Sequence, residues 1–505
     1  PGRASFVPGV CFLANASGIS EVPGRTPANE ISDDEQTEAT APGIEEFEDR
    51  PVPERARKGH KAFWGMYAGE HAAGTEFMIG PLFLLAGVSL QNIVLGLLVG
   101  NLLAVLSWRY LCAPIATRAR LTLYRQLEHI AGRRLVKVYN LANGVLFCFL
   151  AGAMITVSAS AVGIPFGLQM PPFDAVYPDS VSFVLIVLGV GTVITVVAAF
   201  GYSAVSRFAN VASPWMILIF LACGVVALGQ LGVRDLAGLR EVWTDSIRFA
   251  QGGETETTMG FLEVMLFAWF CNAAMHIGMS DLSVLRYARK SSAGWASAGG
   301  MYVGHYMAWL AAAFLLAAQI QRSQNATPVP GPMAFEVTGI AGVLCVVVAG
   351  WTTANPTIYR AGLAFQAMLP RSRRLTMTLL AGTVATVAAA FPAFAFKLLG
   401  FVGLYGTILA PMGAVVFADF WLSRRCGVQP EYARVSGVTV SKSALFAWLV
   451  PVAAALYFIV GHGMTTWYFP LPAWIASGAL FLLFGRLRQR AGATGPTSAA
   501  GGFAR

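Results

Sequence analysis

Along most of this chain the apolar residues fall into long runs, with the polar residues gathered between them. Twelve runs stand out, over about 63–87, 91–112, 136–162, 180–200, 208–231, 259–279, 295–320, 337–358, 376–396, 399–422, 442–461 and 466–485. Each is near the roughly 20 residues that a helix needs to cross the hydrocarbon core of a bilayer. The pattern predicts an all-α polytopic membrane protein with twelve transmembrane helices. It excludes an outer-membrane barrel, whose strands alternate apolar and polar positions. Composition agrees: of 505 residues, 56% are hydrophobic and 12% charged. A soluble domain carries roughly twice that share of charge, so most soluble enzymes and nucleic-acid binders are excluded as well, despite a net charge of +9.

The charge is unevenly placed. Residues 1–61 hold 11 of the 26 acidic and 7 of the 35 basic side chains, with many Pro, Gly and Ser and no helical period. They read as a disordered cytoplasmic tail ahead of a membrane domain over 62–485, with 486–505 as a cytoplasmic C-terminal tail. Pro1 in place of an initiator suggests a fragment or an over-long reading frame, and the stretch Phe6–Leu13 is too short and broken for a signal peptide. After residue 61, alternate connections divide the basic residues 23 to 5, with Arg234, Arg240, Arg248, Arg322 and Lys397 on the poor side. The positive-inside rule then puts both termini in the cytoplasm of a cell whose inner (plasma) membrane the protein spans many times. The basic balance is a topology signal. The seven cysteines have no paired spacing and read as small apolar filler.

Against this apolar background a few polar residues stand out, because an ionisable group inside lipid is costly and marks a candidate functional site. The first span contains Glu70, His71 and Glu76; the sixth contains Glu263 and His276 and ends at Asp281. Trp64 precedes His71 by seven residues and Trp269 precedes His276 by seven; Thr75-Glu76 and Ser280-Asp281 follow at matching distances, all at an offset of 205. Five spans separate the copies, an odd number, so the second crosses in the opposite direction. That is the signature of an inverted repeat of two five-helix halves around a midplane site; two small-residue packing faces that match by chance are the simpler alternative. The small residues around each histidine allow a helix to unwind and free its carbonyls for a cation.

The eighth span contributes WTTANPTIYRAGLAF, residues 351–365, in which Pro356 removes a backbone donor and disturbs the preceding turn. Thr352 and Thr353 offer hydroxyl oxygens that suit a hard cation, or that serve as interhelical glue. Asn355 suits a polar ligand or another helix. Trp269 and Asn272 share a helix face, an aromatic plane beside an amide that suits a flat heterocycle, although a tryptophan there also suits the bundle core. Phe147 and Phe149 on the third span are packing or ligand-contact residues. His71, His276 and His305 can relay protons or act as satisfied interhelical donors.

Together with GLYGTILAPMGAVVFADFWLSRR (403–425), SDLSVLRYARK (280–290) and GNLLAVL (100–106) followed by TRARLT (117–122), these segments resemble the nucleobase:cation symporter family, which includes permeases for cytosine, purines and hydantoins. The resemblance implies a LeuT-like fold, a 5+5 inverted repeat plus two C-terminal helices. It implies a substrate site among the first, third, sixth and eighth spans, and a cation held by Ala349, Thr352, Thr353 and first-span carbonyls such as that of Gly69. It makes Trp269 the stacking residue, with Asn272 as the alternative when counted back from Asp281. Glu70, His71, Asn355 and Phe147 complete the expected substrate contacts, and Glu76, His276 and Asp281 the expected proton relay or gate.

The expected function is a symporter, not an enzyme, that imports a nucleobase or related small nitrogen heterocycle by alternating access. Na⁺ or H⁺ is its coupling ion; no further cofactor or metal is expected. Its partners are the heterocyclic solute and the bilayer, without nucleic acid, and the protein is a monomer or weak oligomer. The alternatives are a proton-coupled permease for another polar solute such as an amino acid, and an integral membrane metalloenzyme, which the lack of an HxxxH, HExxH or DxxD pair disfavours.

Overall fold

The computed structural model describes residues 47, 50–168, 171, 175–178, 180–253, 256–369 and 371–493. The described chain is helical. Its one β contact is an isolated bridge between Lys58 and Ala288. The first expected span is two helices, α1 (Lys61–His71) and α2 (Glu76–Leu85). The second is α3 (Leu90–Ser107), which runs through a π-helical turn, Trp108–Cys112, into α4 (Ala113–Ala119). A short helix α5 (Leu123–Ala131) leads to α6 (Arg133–Val162), the third span, followed by α7 (Val181–Ala199) and α8 (Tyr202–Gln230).

After an amphipathic helix α9 (Leu236–Ala250), the sixth span breaks into α10 (Phe261–Phe270), α11 (Ala273–His276) and α12 (Leu282–Leu285). The seventh starts with a π segment, Gly299–Tyr306, and continues as α13 (Met307–Ser323). A short α14 (Pro330–Thr338) precedes α15 (Ile340–Met368), the eighth span. Then come α16 (Arg374–Ala389), α17 (Ala393–Phe396), α18 (Leu398–Trp421) and α19 (Tyr432–Ser436). The last two are α20 (Lys442–His462) and α21 (Pro470–Ala493).

Among the described residues, nine helices are long and apolar enough to cross a membrane, and α2, α10 and α16 are shorter apolar helices. The first and sixth spans fall short because they are broken. Where α1 ends, Ala72 leaves helical geometry (φ −89°, ψ 61°) and Gly74 follows. A Cβ on Gly74 would lie 2.9 Å from Val157 and 3.0 Å from the backbone nitrogen of Gly350, so glycine allows α15 to approach the break. In the sixth span, Asn272 (φ −110°, ψ 26°) separates α10 from α11, and Met279 has φ +67°, a left-handed conformation that a side chain other than glycine rarely adopts.

The two halves mirror one another in packing. The segment α2 lies along α13, and α10 lies along α3. Each of these partner spans carries a π segment. Pro356 does not interrupt α15, which continues ten residues beyond the expected end of the eighth span at 358. The end of the segment expected as an N-terminal tail is packed on the body. Val52 is fully buried and its N–H donates to the Arg120 carbonyl at 3.0 Å, while Lys58 and Arg289 exchange backbone bonds with Tyr287 and Lys58. Residues 1–46 of that expected tail and 494–505 of the C-terminal one lie outside the described residues.

Candidate functional site

The breaks in the first and sixth spans lie beside α15, and three charged side chains, Glu70, Asp281 and Arg360, meet there. Arg360 of α15 is 1% exposed. Its guanidinium grips both oxygens of Glu70, through Nη1 and through Nη2 at 3.1 Å, and Nη2 also donates to Asp281 Oδ1 at 2.8 Å. The other Asp281 oxygen accepts from the Tyr67 hydroxyl at 2.8 Å and from the Trp108 indole at 2.7 Å. The cluster thus ties α1, the π turn after α3, the end of the sixth span and α15 together. A planar guanidinium suits this arrangement because it can hold two carboxylates in fixed directions.

Glu76, the first residue of α2, forms the counterpart. It accepts from the Trp309 indole of α13 and from Thr75 Oγ1 at 3.3 Å, and the His305 Nε2 lies 3.7 Å away. A carboxylate on the first span is therefore met by an indole from the seventh, and one on the sixth by an indole from the second. This exchange is what a two-fold relation between the halves requires. The repeat-related histidines also converge: His71 and His276 approach the Trp108 ring at 5.8 Å and 4.7 Å. The His71 Nδ1 meets the Tyr67 carbonyl at 2.7 Å and the His276 Nε2 meets the Trp269 carbonyl at 2.9 Å.

Between these groups lies a cavity of about 50 Å³, walled by Glu70, His71, Glu76, Asn272, His305 and Thr353, with Met154, Met275 and Trp309 on its apolar sides. That volume admits a few heavy atoms, against the roughly 300–1,000 Å³ of sites that enclose a larger ligand. Next to it, the expected cation ligands gather. Thr353 Oγ1 donates to the Glu70 carbonyl at 2.9 Å and to the Ala349 carbonyl at 3.3 Å, and Thr352 Oγ1 donates to Ala349 at 2.9 Å. The first-span carbonyl that reaches Thr353 is thus that of Glu70, one residue beyond Gly69. A hard cation inserted here would replace these hydroxyl bonds with oxygen coordination.

The structure places other expected residues elsewhere. Trp269 is half-buried outside the cavity, stacked on Phe270 and donating to Ser107 Oγ at 3.1 Å. Phe147 packs edge-on against Tyr405 and does not reach the cavity wall. Asn355 is buried one turn beyond Thr352, and its side-chain oxygen has no partner. Glu263 is not in the cluster: it caps Gly260 at 2.8 Å and accepts from Tyr468. The sequence pattern does not single out Arg360, Trp108 or Trp309. Apolar residues do continue past 358 to Leu369, but Gly362 interrupts them and Arg360 itself looks like a basic residue flanking a span, so the sequence offers no decisive signal for it. No group of three or more His, Cys, Asp or Glu that could hold a metal ion occurs among the described residues.

Comparison with solved structures then places the fold. The chain superposes on Mhp1, a nucleobase-cation-symport-1 family transporter, in a closed conformation with bromovinylhydantoin bound, with a TM-score of 0.67 at 16% identity over 88% of this chain and 95% of that one. The fold is that of Mhp1. Inward-facing Mhp1 gives a TM-score of 0.65 at 16% identity over 87% and 93% of the two chains. A substrate-bound, outward-open Na⁺-coupled sialic acid symporter gives 0.62 at 14% identity over 86% and 90%. No protein-family model and no curated protein matches the sequence. Within the Mhp1 fold, the broken first and sixth spans and α15 are therefore the elements that carry both the cavity and the threonine cluster.

Proposed function

We propose that the protein is a cation-coupled secondary transporter that imports a small nitrogen heterocycle, of the nucleobase or hydantoin kind, by alternating access across the inner (plasma) membrane. The observation that carries this reading is the pairing of two broken helices from opposite halves around one buried polar cavity, with an oxygen cluster on α15 beside it. Broken helices of this kind expose carbonyls and helix ends to ions and solutes at the membrane midplane. The hydantoin bound by Mhp1 and the sodium coupling of the sialic acid symporter support the reading by analogy of fold. The excess of Lys and Arg on one side supports cytoplasmic termini.

In this mechanism a sodium ion at Thr352, Thr353, Ala349 and the Glu70 carbonyl stabilises one arrangement of α1 against α15. The solute then bridges the halves, and each ligand raises the affinity of the other by the same factor. The test is thermal unfolding of purified protein with nucleobases, hydantoins, allantoin and thiamine precursors, with and without sodium. Sodium should enhance the response to the bound solute. In Thr353→Ala this enhancement should disappear while protein abundance is retained; an unchanged sodium dependence would remove the cation assignment. Proton coupling is the second reading, favoured by the buried contact between Glu76 and His305. It predicts uptake that follows external pH at fixed sodium.

A further inference from the structure

The chemistry of the cavity wall points to the charge of the solute, an inference that rests on the reading of this cavity as the solute site. The hydroxyl and ring donors of the wall are already spent. Thr353 donates to Glu70 and Ala349 carbonyls, Thr75 and Trp309 donate to Glu76, and Cys271 donates to the Ala268 carbonyl at 3.5 Å. Asn272 gives an amide N–H to His305 Nε2 at 3.4 Å. The His71 Nδ1 faces a carbonyl and therefore carries a proton. In the neutral ring this leaves Nε2 as a bare acceptor, on a side chain 2% exposed, and it has no partner. What the side chains of the wall leave open is thus mainly acceptor capacity: His71 Nε2 and lone pairs of Glu70 and Glu76.

Charge leads to the same conclusion by a separate route. Glu70, Asp281 and Glu76 are three buried carboxylates, and Arg360 is the guanidinium set among them, bonded to the first two. Glu76 meets indole and hydroxyl donors and an imidazole, so its charge has no fixed cation in contact. A buried carboxylate in that position is costly until a positive group joins it. Glu76 also occupies the first turn of α2, where the helix dipole would otherwise favour an anionic ligand. An acidic solute is therefore opposed.

We propose that the solute enters this cavity with a positively charged, N–H-rich head, an ammonium, amidinium, guanidinium or protonated amino-heterocycle. Its N–H groups bond Glu76, the free lone pairs of Glu70 and His71 Nε2. Glu76 sets the preference for charge, since Glu70 is already engaged by Arg360. The cavity of about 50 Å³ accepts the head alone, and the rest of the solute is accommodated as the broken helices separate.

The test is thermal unfolding of the purified full-length protein with two isosteric sets, acetamidinium, acetamide and acetate, and benzamidinium, benzamide and benzoate, beside cytosine and hydantoin. The amidinium members should raise the unfolding midpoint in a concentration-dependent way, and the amides and carboxylates should not. Glu76→Gln retains an acceptor for Trp309; it should weaken the amidinium response about 10- to 100-fold and bring amide and amidinium to parity. An equal response of the wild type to acetamide and acetamidinium would overturn the proposal, because a proton would then be neutralising Glu76. A response to cytosine or hydantoin without any to amidinium would also overturn it, while the transporter reading stands. No response to any compound would remove the cavity as the solute site and both readings with it. The wild-type sets decide the matter even if the variant does not accumulate.

Discussion

Arg360→Leu is expected to lose about 3–5 kcal/mol of stability, the cost of leaving buried charge unpaired. Arg360 is 1% exposed, and its removal strips the guanidinium from Glu70 and from Asp281, which are 2% and 0% exposed. Neither carboxylate can reach water without parting α1 from α15, so the loss falls on the helix packing. Arg360→Lys should restore little, because an ammonium on a flexible stem cannot present the planar fork that bridges two carboxylates. Size-exclusion profiles and unfolding midpoints of detergent extracts measure the effect. The triple change Glu70→Gln, Asp281→Asn, Arg360→Met should recover a monodisperse peak, since it removes the charges together. A wild-type midpoint in Arg360→Leu alone would show that the cluster is not sequestered.

Gly304→Ala is expected to cost about 3 kcal/mol, at the upper end of overpacking penalties. The added Cβ would lie 2.6 Å from the carbonyl carbon, the carbonyl oxygen and the Cβ of His71. None of these is the far end of a flexible side chain. The π segment Gly299–Tyr306 and α1 must therefore separate at the residue whose ring lines the cavity. Gly189→Ala is the control: a Cβ there meets nothing within 4 Å, and in a helix interior alanine gains about 0.5–1 kcal/mol over glycine. Unfolding midpoints should thus move in opposite directions for the two variants. A Gly304→Ala midpoint at or above wild type would refute the close approach.

The site was legible where a polar residue interrupted an apolar run. Glu70, His71 and Glu76 stand out in the sequence because lipid tolerates few such residues, and the offset of 205 that relates Trp64, His71 and Glu76 to Trp269, His276 and Asp281 conveys the relation between halves. The structure gives that relation its packing, with the two indoles exchanged between halves. Arg360 shows where pattern fails: an arginine just past the expected end of a span is indistinguishable from the basic residues that flank spans on one side. Only the continuation of α15 to Met368 puts it inside. Trp269 shows the opposite failure. Helical phase places it beside Asn272, but the break at Asn272 ends that phase, and the ring turns to Ser107 and Phe270.

Hydrophobic period and charge scarcity by themselves determined a polytopic helical protein, its approximate span boundaries, and the short set of polar residues at which to look. Both properties follow from transfer to lipid, a cost paid residue by residue and therefore written locally along the chain. Tertiary structure alone decided which of those residues meet: Arg360 with Glu70 and Asp281, Trp309 with Glu76, Thr353 with the Glu70 carbonyl. These pairings join positions 79 to 290 residues apart in sequence. They depend on the directions of broken helices and on glycine contacts between backbones, which no local pattern encodes.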